Sequence, residues 1–236
     1  MSPVLYNIYI SDLQVKNGCS LALFADDTST YYTHRNPQII ARKLENSVKR
    51  INAYLKRWKI QLNENKTEAI FFTKRRAARF LPNANLNINS SPVVWSKCIK
   101  YLGVLLDVKL TFERHVEFAK ERAQKYIKIL YALINRRSKL NMRNKLLIFK
   151  SVFRPIMLYG APVWNSCAAT HKKRLQVTQN KLLKIILNKP FHYNTAKLHD
   201  EAKVKPVSYV TDELTRKFKQ RCYFSDNPLI VQLATG

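Results

Sequence analysis

The sequence predicts an α+β fold in which an antiparallel hairpin sheet with a covering helix precedes a bundle of helices. Apolar runs on both sides of Asp26 and Asp27 indicate two strands joined by a tight turn. From Pro37 to Trp58 apolar residues recur every three or four positions, which is typical of an amphipathic helix. Beyond Phe112 the same period returns in three successive segments, and this indicates a helical bundle.

The individual elements follow from periodicity and from turn residues. In order we expect a helix at 3–10, hairpin strands at 20–25 and 28–33, a strand at 68–72, a loop at 83–92 and a strand pair at 99–106. Gly103 lies inside the last pair and signals a close backbone approach or a bulge. Three helical stripes then cover 116–134, 146–156 and 175–189. We therefore divide the chain into 1–110, a helical region at 111–190 and a basic C-terminal tail region at 191–236.

The charge of the chain points to a polyanionic partner. It carries 42 Lys and Arg against 15 Asp and Glu, a formal net charge of +27. Residues 1–40 hold only two bases and three acids, so nearly all the excess lies downstream. The bases are spread over many segments and are not confined to one amphipathic helix, which favours nucleic acid over an anionic membrane.

Asp26 and Asp27 are candidate metal ligands. Two adjacent carboxylates at a turn repel each other unless a cation neutralises them, and hard oxygen donors suit Mg²⁺ or Mn²⁺. The alternative is an ordinary solvated Asp-Asp turn, since short motifs also occur by chance. Cys19, Cys98, Cys167 and Cys222 lie far apart in sequence, so the cysteines predict reduced thiols and no zinc site.

Several segments, in this order, resemble the reverse transcriptases of LINE-type, jockey-like retrotransposons that lack long terminal repeats. The segments are Ser2–Leu13, Phe24–Asp27, Leu62–Phe72, Lys100–Asp107, Leu110–Phe112 with His115, and Arg154–Trp164. Several motifs in the right order are more specific than one, and the resemblance covers most of the chain, weakening beyond about residue 190.

The resemblance implies a partial polymerase palm at 1–110 followed by a thumb-like region. Asp26 would then be the principal catalytic metal ligand and Asp27 the secondary one, while Lys66 would be a candidate general acid for pyrophosphate. A solvated lysine is the alternative for Lys66. The same resemblance implies that Tyr101, Leu102 and Gly103 form a primer grip. The competing interpretation is that these residues are the core of a plain hairpin.

The expected partners are an RNA template and a DNA primer, and the expected compartment is intracellular, nuclear or cytoplasmic, without a membrane anchor. Arg122, Lys125 and Lys128 of the first thumb-like helix are candidate nucleic-acid contacts; the alternative is a solvated helix face. Family members carry fingers and another catalytic Asp ahead of Ser2, so we expect a C-terminal fragment that is inactive alone. The alternatives are a non-enzymatic RNA/DNA-binding protein derived from a retroelement and a degraded reading frame.

Overall fold

The computed structural model describes residues 3–13, 18–74, 84–88 and 91–235. The chain forms two compact units, Met1–Ile99 and Lys100–Gly236. Within the described ranges, no helix has the length and apolar character needed to cross a bilayer.

The first unit begins with helix α1, Pro3–Ile10, and a hairpin of β1, Ser20–Phe24, and β2, Asp27–Tyr31. Helix α2, Pro37–Arg57, follows. The Asn36 side chain accepts a hydrogen bond from the Gln38 N–H and caps its first turn, where proline lacks a donor that would otherwise be unsatisfied. The predicted hairpin and amphipathic helix are thus confirmed.

The covering role of α2 is visible at its buried face. Ile40 and Ile51 are buried there, and the buried Ser47 hydroxyl lies 2.9 Å from the Thr30 hydroxyl of β2. Because a buried hydroxyl without a partner is costly, this pair fixes the helix against the hairpin strand.

The rest of the first unit contains very short strands. After a 3₁₀ turn at Glu64–Lys66 come β3 to β6, at Ala69–Ile70, Leu86–Ile88, Ser91–Val93 and Trp95–Ser96. Strands β4 and β5 pair antiparallel within the segment expected to be a loop, so that expectation is wrong. Strands β3 and β6 pair in parallel, which departs from the purely antiparallel sheet expected.

A buried tryptophan closes the core of this unit. The Trp95 indole N–H donates to the Ala84 carbonyl at 2.7 Å, and the ring packs edge-on against Phe71. Leu86 and Ile88 of β4 join it in one apolar cluster together with Ala41 of α2. Strands of two or three residues depend on this side-chain packing, because so few backbone hydrogen bonds hold them.

A hairpin whose first strand begins two residues before Lys100 leads into the second unit, and helices follow it. Strands β7, Cys98–Tyr101, and β8, Val104–Asp107, pair with each other. The helices are α3 Glu113–Ile129, α4 Tyr131–Ile134, α5 Met142–Ile148, α6 Arg154–Leu158, α7 Ala161–Trp164, α8 Ala169–Ile186, α9 Thr195–Ala202, α10 Val207–Tyr223 and α11 Pro228–Thr235. The three predicted helical segments are all present.

Helices α5 and α6 are joined by one π-helical segment, Phe149–Phe153. Its wider turn is seen where the Arg154 N–H donates to the Phe149 carbonyl five residues back. Pro155 follows directly, and proline has no N–H and a ring that clashes with the carbonyl four residues earlier. The π segment accommodates Pro155 without ending the helix.

The core of the second unit is extensive. Phe149, Phe153 and Trp164 are fully buried together with Val116 of α3 and Leu182 of α8. The sequence predicts a basic tail region at residues 191–236. In the structure, Leu198 and Val207 of this region are fully buried in the same core cluster. Helices α9 and α10 are therefore part of the packed unit.

Candidate metal-binding hairpin and nucleic-acid interface

The two aspartates lie at the tip of the first hairpin. Phe24 pairs with Asp27, so Ala25 and Asp26 alone form the turn. Ala25 has a φ of 51°, at the turn position where two-residue hairpins require a positive φ and usually place glycine. The carboxylates of Asp26 and Asp27 are both exposed on consecutive residues.

Helix α1 brings one aromatic hydroxyl near this tip. The pKa of Tyr6 is raised, first by its burial and second by the negative charge of Asp26. The sign is expected because both causes disfavour the phenolate. The neutral form of the Tyr6 hydroxyl is therefore favoured near Asp26.

The tip matches a hard divalent cation in donor type and falls short in donor number. Carboxylate oxygens are what Mg²⁺ prefers, but it needs about six ligands in an octahedron. Within the described ranges no cluster of three or more Asp, Glu, His or Cys side chains could hold a metal ion. Asp26 and Asp27 would supply part of a coordination sphere that water, a phosphate or another carboxylate must complete.

The predicted general acid, Lys66, lies on a different turn of the first unit. Its backbone N–H donates to the Asn63 side chain at 3.2 Å, and its own side chain is exposed. Among the described residues, no ion pair joins Lys66 to Asp26 or Asp27. The sequence predicts that Asp26, Asp27 and Lys66 act at one site. The structure places Asp26 and Asp27 next to each other and Lys66 on a separate turn.

Large apolar side chains are exposed on both α1 and the first hairpin. Val4 and Ile8 of α1 are exposed, and Phe24, next to the turn, is 62% exposed. In the part of the chain that the structure describes, β1 and β2 pair only with each other. Both hairpin edges thus remain open to a further strand.

The second hairpin places Tyr101, Leu102 and Gly103 at its tip. Leu102 and Gly103 have φ values of 45° and 82°, as a type I′ turn requires. The Tyr159 hydroxyl donates to the Leu102 carbonyl at 3.0 Å. A Cβ on Gly103 would lie 2.8 Å from the Tyr159 ring, so the glycine is needed for a close approach as well as for the turn.

A second glycine, Gly160, allows the segment that carries Tyr159 to approach strand β8 closely. Gly160 has a φ of 64°, and a Cβ there would lie 2.8 Å from Val104 of β8. Tyr159 and Gly160 connect α6 to α7, and the Trp164 indole N–H donates to the Tyr159 carbonyl at 2.8 Å. The hairpin tip is therefore fixed to the core of the second unit, and the expectation of a close approach at Gly103 is confirmed.

Asp107 organises the connection from this hairpin to α3. Its carboxylate accepts hydrogen bonds from the Thr111 N–H and hydroxyl, both at 3.0 Å, and from the Phe112 N–H at 2.8 Å. Desolvation raises the pKa of Asp107, but these bonds outweigh it and the pKa is lowered. Sequence reasoning missed this role; an Asp shortly before a Thr at a helix start was the available signal.

The candidate nucleic-acid residues share one exposed side of α3. Arg122, Lys125 and Lys128 are spaced by three residues and all are exposed. The Arg122 guanidinium also lies 5.6 Å from the centre of the Phe118 ring, a cation–π contact that leaves its charge available. None of the three forms a salt bridge with a described carboxylate.

Two of the three acids of α3 form ion pairs away from the candidate residues. Arg174 of α8 binds Glu113 at 2.9 Å and Glu117 at 3.5 Å, and Lys120 binds Glu117 at 2.6 Å. These pairs hold α3 to α8 and neutralise one side of the helix. Arg122, Lys125 and Lys128 stay outside these pairs, with the third acid of α3, Glu121, exposed directly before Arg122.

The chain is similar in sequence to known retroelement proteins. The family described as reverse transcriptase (RNA-dependent DNA polymerase) matches residues 1–106. The chain is 32% identical over 88% of its length to a probable RNA-directed DNA polymerase from transposon X-element of Drosophila melanogaster, covering 23% of that protein. In the same organism, the chain is 27% identical over 94% of its length to a probable RNA-directed DNA polymerase from transposon BS, covering 25% of that protein. It is 25% identical over its whole length to the RNA-directed DNA polymerase from mobile element jockey, covering 26% of that protein. The chain spans about a quarter of the length of these relatives.

Proposed function

Since this chain belongs to the LINE-type reverse transcriptases of non-LTR retrotransposons, we propose that it contributes two parts of RNA-directed DNA synthesis. The first unit presents metal-binding carboxylates, and the second holds the template and primer. The observation that carries this proposal is the pair Asp26 and Asp27 at a two-residue hairpin tip inside the matched segment.

Asp26 and Asp27 would bind Mg²⁺ or Mn²⁺ through their carboxylates. When bound, such ions activate the attacking oxygen and stabilise the charge on the leaving pyrophosphate. The chain's own contribution is to hold two oxygen ligands on a two-residue hairpin turn, with a neutral Tyr6 near Asp26. Lys66 is proposed as the proton donor to pyrophosphate, because a lysine ammonium carries a proton that it can transfer to a leaving group.

The second unit would grip the primer and bind the duplex. The turn of Tyr101, Leu102 and Gly103 is fixed by Tyr159 and so presents a constant backbone surface. Arg122, Lys125 and Lys128 would contact phosphates, whose binding by cations releases counterions and depends steeply on salt.

We further propose that the chain alone is a poor catalyst, because no third carboxylate joins Asp26 and Asp27 among the described residues. Primer extension on an RNA template with Mg²⁺ should be undetectable. A longer polypeptide that adds a carboxylate to this site should extend the primer, and Asp26→Asn should then lower the rate by orders of magnitude. Robust extension by the chain alone that Asp26→Asn abolishes would contradict this part.

The binding role has a direct test on the chain itself. Replacing Arg122, Lys125 and Lys128 with Glu should weaken binding to an RNA–DNA duplex and reduce the slope of log affinity against log salt by about 0.9 for each phosphate that the variant no longer binds. The same charge change at Lys49, Arg50 and Lys56, three exposed bases of α2, is the matched control. Equal weakening in both triple variants would mean that only net charge matters, which would refute the assigned interface.

A further inference from the structure

The loop between α8 and α9 displays one aromatic ring almost completely to solvent. Phe191 is 93% exposed, more than any other large apolar side chain that the structure describes. Burial of a phenylalanine ring is favourable, so a ring held outward on a folded unit is available to a partner. Neither the polymerase chemistry nor the α3 surface uses it.

This loop is held in place by its own lysines. The Lys184 ammonium of α8 donates to the Phe191 carbonyl and lies 5.3 Å from the centre of the Phe191 ring. The Tyr193 N–H donates to the Pro190 carbonyl at 3.1 Å, closing a tight turn around Phe191. The ring is therefore presented by a fixed backbone.

A second set of contacts anchors the far side of the turn. Lys189 pairs with Glu201 of α9 at 2.7 Å and lies 4.5 Å from the centre of the Tyr193 ring, whose hydroxyl also donates to Glu201. Asn194 then caps α9 by accepting from the Ala196 N–H at 2.9 Å. Anchors on both sides of Phe191 reduce the entropy that would be lost if the ring bound a ligand.

Exposed basic side chains lie in the loop and on the two helices that it joins. Lys181, one turn before Lys184 on α8, and Lys197, in the first turn of α9, are exposed, and His192 follows Phe191 directly. None of these three forms a salt bridge with a described carboxylate. One face of the Phe191 ring is near the Lys184 ammonium, which leaves the opposite face for a flat partner.

We propose that this aromatic–basic turn, residues 184–197, binds single-stranded nucleic acid by stacking an unpaired base on Phe191 while neighbouring cations contact the phosphates. A flat ring flanked by positive charge suits a base with its phosphate, and such stacking tolerates any base because every base has a π face. The partner is an unpaired strand because bases inside a duplex have both faces covered by their neighbours. The inference rests on the proposed nucleic-acid-binding function and adds a specific site to it.

The test uses the full chain and short labelled RNA and DNA strands in fluorescence anisotropy at fixed salt. Phe191→Ala should weaken single-strand binding by about tenfold, within the range seen for removal of a stacking ring. Phe191→Trp should restore affinity and Phe191→Leu should not, because leucine is apolar but not flat. An abasic strand of equal length should bind wild type and Phe191→Ala alike. RNA and DNA arms tell which strand the turn prefers.

Phe224→Ala is the matched control, since that ring is 81% exposed at the end of α10 and should not affect binding. Equal weakening by Phe224→Ala and Phe191→Ala, an unchanged affinity of Phe191→Ala, or rescue by leucine as complete as by tryptophan would each overturn the proposal. Salt-sensitive binding by wild type with no effect of Phe191→Ala would refute this site alone. No binding by wild type would refute the proposed function as well.

Discussion

The two hairpin tips of this chain are both two-residue turns and are supported in opposite ways. At the first tip, Ala25 adopts a positive φ and the neighbouring Phe24 is exposed. At the second, Gly103 adopts it, and the Tyr159 hydroxyl binds the turn carbonyl of Leu102. The residues proposed for chemistry are on the less supported tip, and those proposed for gripping nucleic acid are on the better supported one.

The same contrast extends to the units that carry them. The core of the second unit contains fully buried Phe149, Phe153 and Trp164, whereas apolar residues of α1 and β1 in the first unit are exposed. The nucleic-acid-binding surface that we propose would thus lie on a closely packed scaffold. A metal site needs its carboxylates held equally well, so the first hairpin is the part that gains most from an added strand or ligand.

The largest test of this contrast is a matched pair of aromatic deletions. Phe153→Ala should destabilise the second unit by about 3–5 kcal/mol, because it leaves a cavity in a close-packed core. Phe24→Ala should change stability by less than about 0.5 kcal/mol, since its ring is already in water. Urea-dependent hydrogen exchange on peptides from each unit measures both. A decrease of several kcal/mol in Phe24→Ala would show that the first hairpin is covered in solution.

A second, smaller test exchanges the turn residues. Gly103→Ala should destabilise the second hairpin by about 1–3 kcal/mol, because the new Cβ meets the Tyr159 ring at a φ that disfavours alanine. Ala25→Gly should stabilise the first hairpin by up to about 1 kcal/mol by relieving its positive φ. Exchange protection of each hairpin is the measurement. Reduced protection in Ala25→Gly would mean that Ala25 carries no strain.

The smallest expected effect is a pH dependence confined to the second unit. Burial lowers the pKa of His115 and outweighs the Tyr159 carbonyl, which raises it. Well above about pH 6.5 the imidazole is neutral in both the folded and the unfolded chain. Below about pH 6.5 the unfolded chain binds the proton more strongly than the folded chain, so the free energy of unfolding decreases as the pH falls. His115→Gln should flatten the dependence of the urea midpoint on pH between about pH 7.5 and 5.5. His34→Gln, at an exposed position, should leave the wild-type slope, and an identical slope in both variants would contradict the assignment.

The parts of the fold that sequence reasoning predicted are those with long, regular patterns. The stripe from Ile40 to Ile51 in α2 and the alternation around Asp26 each span enough residues to show their period. Strands β3 and β6 have two residues each, and two residues show no period. Their parallel pairing depends on the burial of Trp95, a tertiary contact that no local pattern encodes.

The candidate sites divide in the same way. Adjacent acids at Asp26 and Asp27 mark a hairpin tip in sequence, and the structure places them there. The role of Asp107 depends on the backbone donors of Thr111 and Phe112, and these meet it only because Leu110 and Phe112 adopt positive φ. The display of Phe191 depends on lysines that fold back onto its loop. In both cases the geometry arises after folding, from residues of ordinary type.

The π segment at Phe149–Phe153 sets the rotational phase of everything that follows it along the same helix. A π-helical hydrogen bond spans five residues, whereas an α-helical one spans four. The side chains after the segment are therefore rotated about the helix axis relative to those before it. Deleting one residue from this segment would restore the usual pitch but turn Tyr159 and Gly160 by about 100° around the helix axis. Tyr159 would then no longer pack on Gly103, although the hairpin itself is unchanged. The π segment therefore determines whether Tyr159 faces the tip of the second hairpin.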